Sequence, residues 1–336
     1  MTIITQQETL NSDSSNPSWQ PRPEAAEAIR EIKAQISGWF PESEYTETET
    51  SIEFPALFGQ CTVRVVPIEL DTYDGLRLSE RFEARTVLSY VLDDFEDGFF
   101  NVANLMATTG AALRCPDSGQ MVLASGVSVF EQDTEALKSL YVPMIVWSSF
   151  AQSLSIQQAL RQTCGIDFLG EKGDKIGLRS CDEPPFWQID EFAHAATMLR
   201  SAGIFCNASN TGLTAEFPWE EGAVSALSGG QTSLLVLNTT ERHPTAGNGL
   251  HYRLRLPVSA SPERLEEMAH SLNVLEMTGI DMPPSFGAWA VRESDNILSY
   301  VGFWPNCIYL PGTAFNIAAW CMTRSRIARQ FVGNRL

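Results

Sequence analysis

The sequence predicts an α+β protein: two repeats of an antiparallel sheet with helices packed on one face, arranged as an intrachain pseudo-dimer. Three observations lead there. Hydrophobic periodicity gives the same series twice along 336 residues, namely helix, strands, helix, strands, helix. The strands come in runs instead of alternating with helices, which disfavours a parallel doubly wound sheet. Landmark residues then recur in the same order. Glu53-Phe54-Pro55 and Glu216-Phe217-Pro218 end an early strand, and Gly75-Leu76 and Gly249-Leu250 open the strand after a polar hairpin loop. Thr109-Gly110 and Thr278-Gly279 close the middle helix, and Trp147 and Trp320 lie in the last one. Two unrelated α+β domains are the alternative to duplication.

The elements follow in order. Residues 1–23 read as a disordered arm, because Asn-Ser-Asp-Ser-Ser-Asn-Pro buries nothing. The first repeat, 24–163, starts with a helix over 24–40 whose Ala25, Ala28, Ile29, Ile32, Ile36 and Trp39 recur at helical steps. Strands follow over 51–54, 61–70 and 81–92, where β-branched residues are dense. A helix is expected over 97–110 with Gly110 as its stop, then a strand over 121–130 and a long apolar helix over 135–160. Residues 164–185, rich in Gly, Pro and charge, read as a linker. The second repeat, 186–336, has a helix over 192–202 and strands over 204–207, 212–217, 233–238 and 250–257. Ser261-Pro262-Glu263 then opens a helix with an N-cap, a first-position Pro and a first-turn acid. Strands over 285–291 and 297–303 precede a final helix over 313–332.

Composition narrows the function classes. Lys and Arg number 23 against 41 Asp and Glu, a net charge of −18, so phosphate backbones and anionic lipid surfaces would repel the chain. No nucleic-acid or membrane partner is therefore expected. No apolar run approaches the roughly 20 residues that span a bilayer, and Met1–Gln20 lacks the basic start and apolar core of a secretory signal. Seven widely spaced cysteines without a Cys-x-x-Cys pair suggest reduced thiols and a cytoplasmic setting. The four histidines, His194, His243, His251 and His270, form no metal-binding motif, and His194 is expected in a structural role on its helix.

Each candidate for chemistry has a plainer reading beside it. Asp93, Asp94, Glu96 and Asp97 could ligate a divalent cation, but they lack the Gly and terminal Glu of an EF-hand loop and read better as a helix cap. Gly170 to Gly177 resembles a phosphate loop without its Gly-Lys-Ser/Thr ending, so a linker fits better. Glu42, Glu44, Glu47 and Glu49 read as a solvated strand edge or loop. Arg324, Arg326, Arg329 and Arg335 on the last helix suit its C-terminal dipole, or else form a docking surface for the acidic first half. Phe303, Trp304, Phe286 and Trp289 are either core or the lining of an exposed groove, and are the candidate partner-binding residues. No catalytic, cofactor-binding or metal-binding residue stands out, so no cofactor is expected.

The element order, with length and acidity, resembles the bacterial YbjN-like proteins and the type III secretion chaperones that share their fold. The resemblance covers both halves, roughly 24–163 and 186–334. In that family the repeat is usually a whole chain that pairs as a homodimer, and the chaperones are small, acidic and non-enzymatic. The resemblance implies a module that holds a polypeptide partner along exposed sheet and helix surfaces, and it transfers no individual binding residue. Two further readings stay open: a structural or regulatory subunit of a larger assembly, and an enzyme with its site between the halves.

Overall fold

The computed structural model describes residues 29–30, 33–34, 37, 45–48, 50–56, 59–71, 77–91, 99–106, 110–114, 120–130, 187, 189–219, 231–243, 247–278, 282–292, 294, 296–306 and 309–333. The expected arm over 1–23, the helix over 135–160, the linker over 164–185, Asp93 to Asp97 and Gly170 to Gly177 all lie outside the described residues.

Residues 29–30, 33–34 and 37 are helical. The chain continues through β1 (Thr46–Glu47), β2 (Ser51–Ala56), β3 (Gly59–Asp71), β4 (Arg77–Val91), α1 (Phe99–Leu105), β5 (Ala111–Arg114) and β6 (Gln120–Phe130). A second series follows: α2 (Ile189–Ser201), β7 (Phe205–Ser209), β8 (Gly212–Pro218), β9 (Thr232–Asn238), β10 (Gly249–Arg255), α3 (Pro262–Thr278), β11 (Ala288–Arg292), β12 (Ile297–Pro305) and α4 (Thr313–Gly333). The fold is α+β with two six-stranded sheets whose neighbouring strands are all antiparallel.

The two sheets take the same path. The first runs β1-β2-β3-β4-β6-β5 and the second β7-β8-β9-β10-β12-β11. In each, four strands meander, a helix crosses over, and the sixth strand returns to the fourth, leaving the fifth at the edge. Proportions differ: β3 and β4 have 13 and 15 residues against 7 and 7 in β9 and β10, while α1 has 7 residues and α3 has 17. In β3 the register against β4 shifts between Pro67 and Leu70.

Two strands were absent from the sequence expectation, β1 and β5. Helix α1 also ends at Leu105, short of Gly110. Gly110 is no helix stop: it lies against β6, where a Cβ would meet the Ala124 carbonyl oxygen at 2.6 Å. The alanines that follow have weak strand propensity and are held in β5 by pairing with β6. Strand β11 starts three residues later than expected, because Ser285 is engaged elsewhere.

Around the second sheet the physics is regular. Helix α2 buries Phe192, Ala195, Ala196 and Leu199 as one stripe. Ser261 caps α3 through the N–H of Arg264 at 3.4 Å, and Leu265, Met268, Ala269 and Leu272 face inward. Strand β9 alternates, with Ser233, Leu235 and Leu237 buried. Strand β12 is buried on both faces for most of its length: Trp304 meets Trp320 of α4 on one face, and Phe303 meets the rings of His243 and His251 on the other. Tyr252 lies opposite Gly302 in the β10–β12 ladder, and a Cβ on Gly302 would meet the Tyr252 hydroxyl and ring at 2.3 Å. The carboxylate of Glu191 in α2 accepts from the backbone N–H groups of Gly312 and Ala314 at 3.0 Å and so caps α4. Ile29, Ile52, Val63 and Val127 belong to the same buried cluster as the second sheet and its helices, so one apolar core runs through both series.

Candidate functional site

The four aromatic residues proposed from sequence to bind a partner are core. Phe303 and Trp304 are 0% exposed, Trp289 1% and Phe286 2%. Their lining of an exposed groove is therefore corrected: strands β11 and β12, where three of them sit, are covered on both faces. Phe286 meets Trp304 edge-on at 5.7 Å and Trp320 at 6.2 Å, and Trp289 meets Tyr300 at 5.3 Å. A second correction concerns the last helix. Arg324 serves neither the helix dipole nor an exposed docking surface, and is 2% exposed in the core. Arg326 is exposed, Arg329 donates to the Trp219 carbonyl at 3.3 Å, and Arg335 lies outside the described residues. His194 stands on the exposed face of α2.

Arg324 centres a polar cluster beneath β11. Its Nε and Nη2 donate to the two carboxylate oxygens of Glu276 in α3 at 2.8 and 3.0 Å, and Nη2 also donates to the carbonyls of Pro284 at 2.5 Å and Pro283 at 3.3 Å. The guanidinium lies 4.2 Å from the centre of the Tyr300 ring, and the Trp289 indole N–H donates to Glu276 at 3.2 Å. Burial opposes the Arg324 charge, but Glu276 and its neighbours outweigh it and hold the guanidinium protonated. Burial raises Tyr252 and Tyr300 well above the usual phenol range and pushes the Cys321 thiol up to about 12. Arg324, Tyr252, Tyr300 and Cys321 therefore keep their protons at neutral pH. The cluster has the chemistry of a structural anchor, with no thiolate or phenolate to act as nucleophile or base.

Where the two sheets approach, asparagines in the crossover helices hold the edge strands. Asn104 in α1 accepts from the N–H of Ala112 at 2.7 Å and donates to its carbonyl at 3.1 Å. Asn273 in α3 does the same to Trp289, at 2.7 and 2.8 Å. Asn101, three residues before Asn104, reaches across to the other sheet and takes both the N–H and the carbonyl of Val291 at 2.7 Å. Each side-chain amide thus substitutes for a missing neighbouring strand. Beside them Ser285 N–H donates to the Gly126 carbonyl at 2.7 Å, and Ala111 and Ala288 form a buried contact between the edge strands. Reciprocally, α1 packs on β11 and α3 packs on β5 and β6.

The outer edge of the second sheet is different. The hairpin turn after Ser209 sets the ladder bonds at Phe205, Asn207 and Ser209, so the peptide groups of Cys206 and Ala208 point off the sheet. Arg200 donates to the Cys206 carbonyl at 3.0 Å, and Ala208 has no hydrogen-bond partner among the described residues. Phe205 is 45% exposed and β7 contains neither Pro nor a charged side chain. At the far edge of the first sheet, β1 is two residues long and carries Glu47 in an ion pair with Lys33.

Sequence reading missed Asn101, Asn104, Asn273 and Glu276. A signal existed: each is a polar residue on the buried face of a helix whose neighbours there are apolar, a position that asparagine disfavours without a tertiary partner. Among the described residues no three His, Cys, Asp or Glu side chains gather closely enough to hold a metal ion, and no helix is long and apolar enough to cross a membrane. Cys206 and Cys321 are buried free thiols. Compared with known proteins, the chain matches no family model, no curated protein and no solved structure.

Proposed function

We propose that this chain is a duplicated, non-enzymatic protein-binding module of the chaperone-like kind, in which two copies of one α+β unit pack as an intrachain pseudo-dimer. Corresponding positions support the duplication. Asn104 and Asn273 each stand five residues ahead of a Thr-Gly pair, each clamps its own edge strand, and Ala111 and Ala288 each precede the clamped residue. Equivalent residues in mutual contact are what a two-fold interface produces, since an isologous surface meets itself. Residues 24–163 and 186–336 are the two units on this reading, which also takes the chain to be cytoplasmic and YbjN-like.

The observation that carries the binding function is the β7 edge, which is unsealed among the described residues. Both inner edges are occupied by side-chain amides and β1 is short and acidic, whereas β7 offers the Ala208 peptide group and an exposed Phe205 for strand addition. A net charge of −18 favours a neutral or cationic polypeptide. A photo-crosslinking residue in place of Phe205, used in cells, tests this against the same residue in place of the exposed Val274. Crosslinks to one stoichiometric polypeptide from position 205, lost on Ala208→Pro in the same chain, are expected. Equal labelling from both positions, or labelling indifferent to the proline, would sink the reading.

A further inference from the structure

Two histidines sit where the first sheet's crossover helix meets the second sheet. His243, in the loop after β9, is 4% exposed. Its ring stacks on that of His251 in β10, with centroids 6.0 Å apart and planes 21° apart, and both rings flank Phe303 at 4.8 and 4.7 Å. His243 hydrogen-bonds the backbone of Met106, just past the end of α1, so it bridges the two series of elements. The loop that presents it is folded back by paired backbone bonds between His243 and Gly247 at 2.8 and 3.1 Å, with Gly247 at φ 75°.

We propose that the joint between the two sheets is an acid-released latch, in which neutral His243 fastens the second series to Met106 and protonation of the stacked His243–His251 pair releases it. A carbonyl accepts one N–H from a neutral ring, and that needs no charge. A second proton on His243 would place a cation on a buried ring against an aromatic face and a second imidazole. His251 Nε2 is buried with no acceptor among the described residues. Glu241 favours charge on His251 through its carboxylate and its backbone, while Asn238 pairs with His251 across the ladder and Arg253, bonded to the Ser299 hydroxyl, stands two residues along β10. Burial, and then the charge of the neighbouring His251, drive the His243 pKa down to about 3, while Met106 partly opposes this. Burial also lowers His251, partly offset by Glu241.

The sign follows from linkage. The open joint binds protons at the ordinary histidine value near 6.5 and the closed joint does not. Closure is thus fully favoured above that value and weakens as pH falls toward about 3. From His243 alone, the open population rises about 30-fold between pH 7.5 and pH 5. This latch is independent of what β7 binds.

Amide hydrogen exchange on the full chain tests it. The Ser285 N–H, bonded to Gly126, and the Val291 N–H, bonded to Asn101, report the joint, whereas the Leu235 and Leu237 amides report the sheet itself. After correction for intrinsic rates, protection of Ser285 and Val291 is expected to drop about 30-fold or more from pH 7.5 to 5 with Leu235 and Leu237 unchanged. A His243→Gln, His251→Gln double variant, which keeps a donor for Met106 but does not titrate, should lose the pH dependence. The wild-type chain alone can overturn the proposal. Equal protection at both pH values would do so, and so would a parallel fall at all four amides, which marks global acid unfolding.

Discussion

The second sheet ends in two strands of five residues, and their fates are opposite. Strand β11, Ala-Trp-Ala-Val-Arg, has both outward-facing peptide groups taken, Trp289 by Asn273 and Val291 by Asn101. Strand β7, Phe-Cys-Asn-Ala-Ser, turns the peptide groups of Cys206 and Ala208 off the sheet, and among the described residues Arg200 alone meets them, at the Cys206 carbonyl. Neither strand carries the lysine, proline or bulge that commonly protects an edge. What separates them is the neighbouring helix: α3 and α1 aim amides at both outward peptide groups of β11, while α2 buries an apolar stripe and reaches the β7 backbone through Arg200 at the Cys206 carbonyl. Whether an edge is closed or open is decided outside the strand.

The largest loss of stability is expected beneath β11. Arg324→Met would leave Glu276 buried without its counter-charge and should cost about 3–5 kcal/mol in urea unfolding. Replacing both partners, Glu276→Leu with Arg324→Met, should recover much of that loss in the same assay. Asn273→Ala strips two buried backbone groups of Trp289 of their partners, with an expected cost of about 2–4 kcal/mol. Asn101→Ala does the same to Val291, but at a seam between two sheets that can part and hydrate. A smaller loss of about 1–2 kcal/mol is expected there, together with faster exchange of the Val291 amide. Ala208→Pro, at an N–H that points off the sheet, should shift stability by less than about 0.5 kcal/mol. A large loss at Ala208 would mean that β7 is not an open edge, and the contrast would collapse.

Much of the second series was legible in the sequence. The stripe Phe192, Ala195, Ala196, Leu199, the Ser261 cap and the alternation through β9 are local patterns, and local patterns need no knowledge of the fold. What escaped was made by topology. Asn101 meets Val291 across 190 residues and Arg324 meets Glu276 across 48, and no periodicity announces such partners. Strand β5 escaped for a different reason: alanines prefer a helix, and only β6 and Asn104 hold these in a strand. The aromatic segment was read for its size alone. A run such as Ser-Tyr-Val-Gly-Phe-Trp-Pro suits a central strand as well as a groove, and its burial comes from distant partners, Trp320 of α4 on one face of β12 and His243 on the other.

The Tyr252 ring lying across Gly302 makes the history of this protein directional. No side chain can appear at 302 while the tyrosine fills that space, yet shrinking Tyr252 first opens a gap in the core and strands the Phe286 carbonyl that its hydroxyl binds. Each single step loses stability, so the two positions are bound to change together or stay as they are. In a set of diverged relatives, glycine opposite a tyrosine should behave as one inherited character, and a chain with a larger residue at 302 should carry a smaller one at 252.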